Sequence, residues 1–423
     1  MSTEETARES APTSQDAAKK PRFAVLQSLQ STPFRFLLVN NGFAMTGFHA
    51  RLMAQAWLVL EMTNSDAWVG AVNGLPAIPV IFLTLFGGVL ADRMDRRVLL
   101  IISRAIMASI ALLTAFLITS GVITVWHLMA LAFFITLTHS FGMILNQTLL
   151  AASVDRERLF SANAMLGASM QFGLIVGPAI GGVLIARIGV DAAFYLTAAM
   201  LVIAAVAAYG VRVNTAGGGR RSTSILRDFR DGFDYISSTP TLRWLFVMGL
   251  GVLFAAIWVP LIPRFARDIL QVGPEGYGSI IAAQGAGGLI GVIAMIAAPN
   301  VKSLGRVLVA CSVSFAILAI VFAFSTIIFI SAAASFGLGF TIVWWGNTLR
   351  VAMLMTAAEA MRGRVMSLSA MTSQMVALAW FVGGVLSELI GPQATLIAGA
   401  VTAGTMYVSI FLLSPDIRRL GRE

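Results

Sequence analysis

Long apolar runs, separated by short polar or charged intervals, fill this chain from about residue 35 to residue 414. Twelve stand out, over 35–61, 67–91, 97–119, 124–149, 159–187, 190–212, 242–267, 276–298, 305–325, 327–352, 365–390 and 393–414. A helix needs about 20 apolar residues to cross a bilayer. In lipid only helices and closed barrels satisfy their own backbone hydrogen bonds, and these runs are far too long for barrel strands. The pattern predicts an all-α integral membrane protein of twelve transmembrane helices.

The intervals fix an orientation. Lys19, Lys20, Arg22, Arg93, Arg96, Arg97, Arg156, Arg158, Arg220, Arg221, Arg227, Arg230, Lys302, Arg306, Arg362, Arg364, Arg418 and Arg419 fall in the two tails and the even-numbered intervals. The opposite side carries Arg187, Arg264 and Arg267. Basic residues mark the cytoplasmic side, so both termini are expected in the cytoplasm. Residues 1–34 have no apolar core of a signal peptide and read as a disordered cytoplasmic tail. The longest internal break, 213–241, opens on Gly217-Gly218-Gly219-Arg220-Arg221. It continues with apolar residues at helical spacing (Leu226, Phe229, Phe233, Ile236) among charges, the pattern of an amphipathic helix on the membrane surface. It divides a six-helix bundle at 35–212 from a second at 242–414, with a cytoplasmic tail at 415–423. A weak internal repeat agrees. Gly181-Gly182-Val183-Leu184 echoes Gly383-Gly384-Val385-Leu386, and Arg97-Val98-Leu99 echoes Arg306-Val307-Leu308.

Composition sharpens the class. The chain is 58% hydrophobic and 12% charged, where a soluble domain is about 25% charged. The net charge of +9 is the surplus of cytoplasmic-side basic residues and points to no nucleic-acid partner. One cysteine (Cys311) excludes an internal disulfide. Three histidines are too few for a histidine-built metal cluster, and no cofactor or metal site is expected. No HExxH, GxSxG or Walker-type sequence is present, so an intramembrane enzyme and an ATP-driven pump are both disfavoured.

Three stretches carry a resemblance. Gly88-Val89-Leu90-Ala91-Asp92-Arg93-Met94-Asp95-Arg96-Arg97 packs five charges between the second and third runs. Gly173-Leu174-Ile175-Val176-Gly177-Pro178-Ala179-Ile180-Gly181-Gly182 combines glycines at four-residue spacing, which let helices approach closely, with a proline that softens the helix. Asp155–Ala164 and Met361-Arg362-Gly363-Arg364-Val365-Met366-Ser367 open the fifth and eleventh runs. Together they resemble the major facilitator superfamily of secondary transporters, and within it the drug:proton antiporter branch of enterobactin exporters and macrolide efflux proteins. The resemblance implies two pseudo-symmetric six-helix bundles that rock about a central cavity. It implies a conformational latch built from Gly88, Asp92, Arg93, Arg96 and Arg97, in which Asp92 docks on the positive end of helix 11 near Gly363 and Arg364. It also implies an antiporter seam at Gly173, Gly177, Pro178, Gly181 and Gly182. Asp95 stands where the superfamily commonly has glycine, and the matching interval Pro299–Arg306 lacks the aspartate.

Helices 1, 4, 7 and 10 line the cavity in that superfamily. Polar groups in apolar runs are functional candidates by default. The candidates here are Asn41, His49, Arg51 and Gln55 in the first run, His139 and Asn146 in the fourth, Trp258 in the seventh, Gln284 in the eighth, Trp344 and Asn347 in the tenth, and Gln374 in the eleventh. The amides serve either the cavity or interhelical hydrogen bonding. Arg51 either binds an anionic group or pairs with a carboxylate. No acidic residue lies near mid-membrane in these runs, so His49, His139 and Asp92 are the candidate proton carriers. The expected protein is a monomeric inner (plasma) membrane antiporter, embedded in the lipid bilayer, that exports a small amphipathic organic compound in exchange for protons. An importer of a small, possibly anionic, solute and a non-transporting scaffold or sensor are the alternatives.

Overall fold

The computed structural model describes residues 28–79, 95–213, 225–297 and 303–421. Within them every regular element is a helix. Ten helices are long and apolar enough to cross a membrane, so the chain is a multi-pass membrane protein.

Every apolar run except the second is matched along its length. The helices are α1 (Thr32–Thr63), α2 (Asp66–Gly74), α3 (Arg96–Thr119), α4 (Val125–Ser153), α5 (Leu159–Arg187) and α6 (Val190–Ala208), then α7 (Ile225–Ser238) in the interval between the two groups. After it come α8 (Pro240–Ile269), α9 (Gly273–Ala297), α10 (Leu304–Phe324), α11 (Ile328–Thr356), α12 (Glu359–Ile390) and α13 (Pro392–Leu413). A short α14 (Pro415–Arg419) closes the chain. Most of the second run lies outside the described residues, and α2 is its beginning. α1 is the longest element, yet its Asn40, Asn41, His49, Arg51 and Gln55 make it too polar to count among the ten apolar spans.

Local chemistry sets the ends. Ser31, Ser65 and Thr124 each accept a hydrogen bond from the backbone N–H three residues on, capping α1, α2 and α4. α8 is not the continuous helix that its run suggests. It breaks near Gly251 and Ile257, tightens to a 3₁₀ turn at Val259–Leu261, and widens to a π turn at Phe265–Ile269. Pro260 and Pro263 cannot donate to the ladder, which accounts for the interruption around them. α12 breaks at Met375.

The two groups of helices repeat one packing scheme. In the first, α1 packs on α5 and α6, and α3 packs on α4 and α6. In the second, α8 packs on α12 and α13, and α10 packs on α11 and α13. The groups meet along two seams, α5 against α9 and α2 against α12. α7 packs on α12 and α8. Its Ile236 enters a buried cluster with Leu242, Leu245 and Met353, and its Asp231 pairs with Arg364 at 3.4 Å.

Candidate functional site

A cavity of about 250 Å³ lies where α1, α2, α5, α8, α9 and α12 converge. Its wall is mainly apolar, with Phe48, Leu52, Tyr277 and Trp380 prominent, and a few polar groups interrupt it: His49, Asn73 and Gln284. An apolar enclosure with sparse polar groups suits an amphipathic organic ligand.

Of the sequence candidates, His49 and Gln284 line this wall. Arg51 and Gln55 stand one turn apart on α1, just behind it. The Arg51 Nη1 donates to Gln55 Oε1 at 2.5 Å, and Gln55 Nε2 donates to Asn73 Oδ1 at 3.0 Å. His139 on α4 stacks against Phe48, with ring centroids 4.0 Å apart. Asn41 and Asn146 form a separate buried network: Asn146 Nδ2 donates to Asn41 Oδ1 at 3.1 Å and Asn41 Nδ2 to Ser169 Oγ at 2.7 Å. They tie α1, α4 and α5 together, the interhelical role. Trp258 is 2% exposed and packs edge-on against Phe322, so it belongs to the core of its own helix group rather than to the cavity wall. The Trp344 indole donates to the Gly291 carbonyl at 2.9 Å and binds α11 to α9. Asn347 bonds back to Val343 of its own helix. The Gln374 side chain lies outside the described residues.

The glycines of the α5 motif divide between two partners. A Cβ built at Gly177 would stand 2.4 Å from the Thr46 carbonyl oxygen, so Gly177, like Gly173, lets α5 lie directly on α1. Gly181 faces the same helix with ordinary clearance from Met53 and Ala50. Gly182 faces the other way, onto α9, where a Cβ would meet the Pro274 carbonyl oxygen at 2.6 Å. The Pro178 carbonyl oxygen in turn abuts Gly278. The motif thus sits at the crossing where the two groups touch.

Gly88, Asp92 and Arg93 lie outside the described residues. Arg97 donates to the Tyr209 carbonyl and lies over that ring at 5.9 Å. Arg96, its neighbour, begins α3. Gly363, at the start of α12, has open space around it, and Arg364 beside it holds Asp231 of α7.

A feature that the candidate list did not include closes the opposite end, at the turn between α1 and α2. Arg264 of α8 donates through Nε to Asp66 Oδ1 at 3.0 Å and through Nη2 to the Asn64 carbonyl at 2.7 Å. Its Nη1 reaches Asn64 Oδ1 and Asp268 Oδ2. Arg267 donates to the Leu60 carbonyl and to Asp268. From α12, Ser387 Oγ donates to Asp66 Oδ2 at 2.6 Å, and Glu388 accepts from Ser65 and from the Ala67 N–H. Three elements of the second group therefore converge on one turn of the first. The Asp66 side chain is 3% exposed. Burial pushes its carboxyl above the ordinary carboxylate range, and the Ser387 hydrogen bond and the Arg264 guanidinium oppose that rise. The sequence held one usable signal: of the three basic residues on that side, two fall within four positions of each other and flank Asp268.

The comparisons with known proteins agree with this architecture. Residues 23–418 match the family model described as transmembrane secretion effector. The multidrug efflux pump Tap of Mycolicibacterium fortuitum is 26% identical over 385 residues, covering 88% of this chain and 89% of that protein. Tap of Mycobacterium tuberculosis is 24% identical over 388 residues, covering 87% and 90%. Among solved structures, a POT family transporter in complex with a thioalcohol-conjugated peptide superposes with a TM-score of 0.73 at 12% identity, covering 93% of this chain and 99% of that one. The nucleoside transporter NupG gives 0.72 at 13%, covering 90% and 99%. At such identities the structures speak for the fold alone. The family match spans nearly the whole chain, and by it this protein belongs to the transmembrane secretion effector family of major facilitator transporters.

Proposed function

We propose that the chain is a secondary active exporter of small amphipathic organic compounds. It comprises twelve spans in two six-helix halves (35–212 and 242–414) and sits in the inner (plasma) membrane as a monomer with both termini in the cytoplasm. The observation that carries this reading is a central cavity, walled by helices of both groups, whose one end is fastened by the Asp66–Arg264 network. The repeated packing scheme supports the two halves. With the α1–α2 turn on the extracellular side, as the basic residues argue, the fastened end faces outward and the cavity belongs to an inward-facing state of an alternating-access cycle. The relatives named as multidrug efflux pumps support the direction and the breadth of substrate.

Protons drive the export in this reading. His49 stands on the cavity wall and His139 is one ring away through Phe48, and imidazoles titrate in the physiological range. Asp92 is the latch for the opposite, outward-facing state, docking at the start of α12. The test is accumulation of a fluorescent amphipathic dye in cells deleted for their own pumps. Wild-type cells should accumulate several-fold less dye than cells carrying Asp92→Asn. A protonophore should erase the difference. Equal accumulation in all three would remove the export reading.

A further inference from the structure

Two guanidiniums are buried in the first helix group, away from any counter-charge. Arg51 on α1 is 3% exposed and Arg104 on α3 is 1% exposed. Neither forms an ion pair among the described residues. Arg51 donates only to Gln55, and Arg104 reaches Asn40 Oδ1 at 3.4 Å and the Met107 sulfur at 3.9 Å. The Nε of each has no partner. His139 lies within electrostatic reach of both arginines and of His49, and its Nδ1 is also unpartnered. A positively charged seam with unused donors therefore runs along α1, α3 and α4.

Phe48 stands between that seam and the cavity. It lines the cavity, stacks on His139, and covers the Arg51 guanidinium, whose Cζ is 5.4 Å from the ring centroid. The cation–π contact and one amide offset part of the burial cost of a guanidinium, but far less than a carboxylate would. Ionised groups at such depth persist where they serve a ligand or an ion. Arginine matches a carboxylate through paired N–H donors, and Arg51 holds its Nε in reserve.

We infer that the solute carried through the cavity bears an anionic group, a carboxylate or a group of the same geometry, which pairs with Arg51 while the apolar part of the molecule occupies the aromatic wall. This deepens the export reading and rests on the cavity being the transport path. Phe48 turns aside to admit the anion and afterwards closes over the seam. The basic seam also repels organic cations from that side of the cavity, so the protein should rank ligands by charge as well as by apolar area.

The test is calorimetric binding to the full-length protein in lipid nanodiscs, using naphthalene-2-carboxylate and naphthalene-2-carboxamide. The two match in shape and differ in charge. The carboxylate should bind at least tenfold more tightly. Arg51→Gln should reduce it to the affinity of the amide, and Arg51→Lys should keep part of the preference. Equal affinity of the two probes for the wild-type protein overturns the proposal without reference to any variant, and binding of neither does the same. Loss of the preference when millimolar chloride replaces gluconate would assign the seam to an inorganic anion and also overturn it. The export reading stands or falls separately, on dye accumulation.

Discussion

Arg264→Ala should unfasten the outer end of the protein. The substitution removes the Nε and Nη donors that hold Asp66, Asn64 and Asp268. It leaves Asp66, at 3% side-chain exposure, with Ser387 as its remaining side-chain donor. Removing one partner of a buried pair costs about 3–5 kcal/mol. Arg264 is 18% exposed, so we take the lower figure, about 3 kcal/mol, which moves a two-state equilibrium by on the order of 100-fold. Uniformly weaker contacts would merely soften the fold, but here the lost contacts all join one helix group to the other. The effect should therefore fall on the ratio of closed to open outer ends. Spin labels at Ser120 and Leu389, both exposed at that end, report it by their distance distribution. A longer component, absent from the wild type, is expected in Arg264→Ala. The charge-reversed pair Asp66→Arg with Arg264→Asp should recover part of the short component, because the two residues act as one unit. An unchanged distribution in the single variant would show that the network does not hold the end shut.

The second large effect is expected at the α5–α9 crossing. A Cβ at Gly278 would stand 2.3 Å from the Pro178 carbonyl oxygen and 3.2 Å from the Gly182 Cα. Both are backbone atoms, so no side chain can swing away, and the helices must separate. Overpacking of a side-chain core costs about 1–3 kcal/mol. Against a backbone carbonyl the cost lies at the upper end of that range. Gly278→Val should lower dye export at least tenfold with the protein still inserted. Gly346→Ala, at a site with no heavy atom within 4 Å of the added methyl, should export at the wild-type rate. Normal export by Gly278→Val would mean that the seam has slack.

How far the sequence foretold these features depends on their range. Helix positions were legible because burial in lipid imposes length and apolarity on every span, and each described helix ends within a few residues of a polar interval. The breaks in α8 were less so. Pro260 and Pro263 announce an interruption, but the π turn at Phe265–Ile269 follows from how that segment meets α1 and α9. His49 and Gln284 were found at the cavity because an isolated polar group in an apolar run has few reasons to be there. The same rule also selected Asn41, Asn146 and Trp344, whose polar atoms are spent on neighbouring helices. One sequence cannot separate the two uses, since both place a polar atom on an inward face. Asn73, Tyr277 and Trp380 went unselected because their positions read as ordinary span residues until α2, α9 and α12 meet. The clasp was hidden for a different reason: its partners lie about 200 and 320 positions apart, and span-end charges read simply as topology markers.

The attachment of α7 has a practical corollary. This surface helix is fastened to α12 and α8 through Asp231–Arg364 and the Ile236 cluster, so it is a passenger on the second half. A fluorophore on its exposed face, at Ser237 for example, rides with that half while remaining clear of the cavity and of both seams. Paired with a second dye on the first half, it would let single-molecule energy transfer follow the turnover of individual proteins in real time.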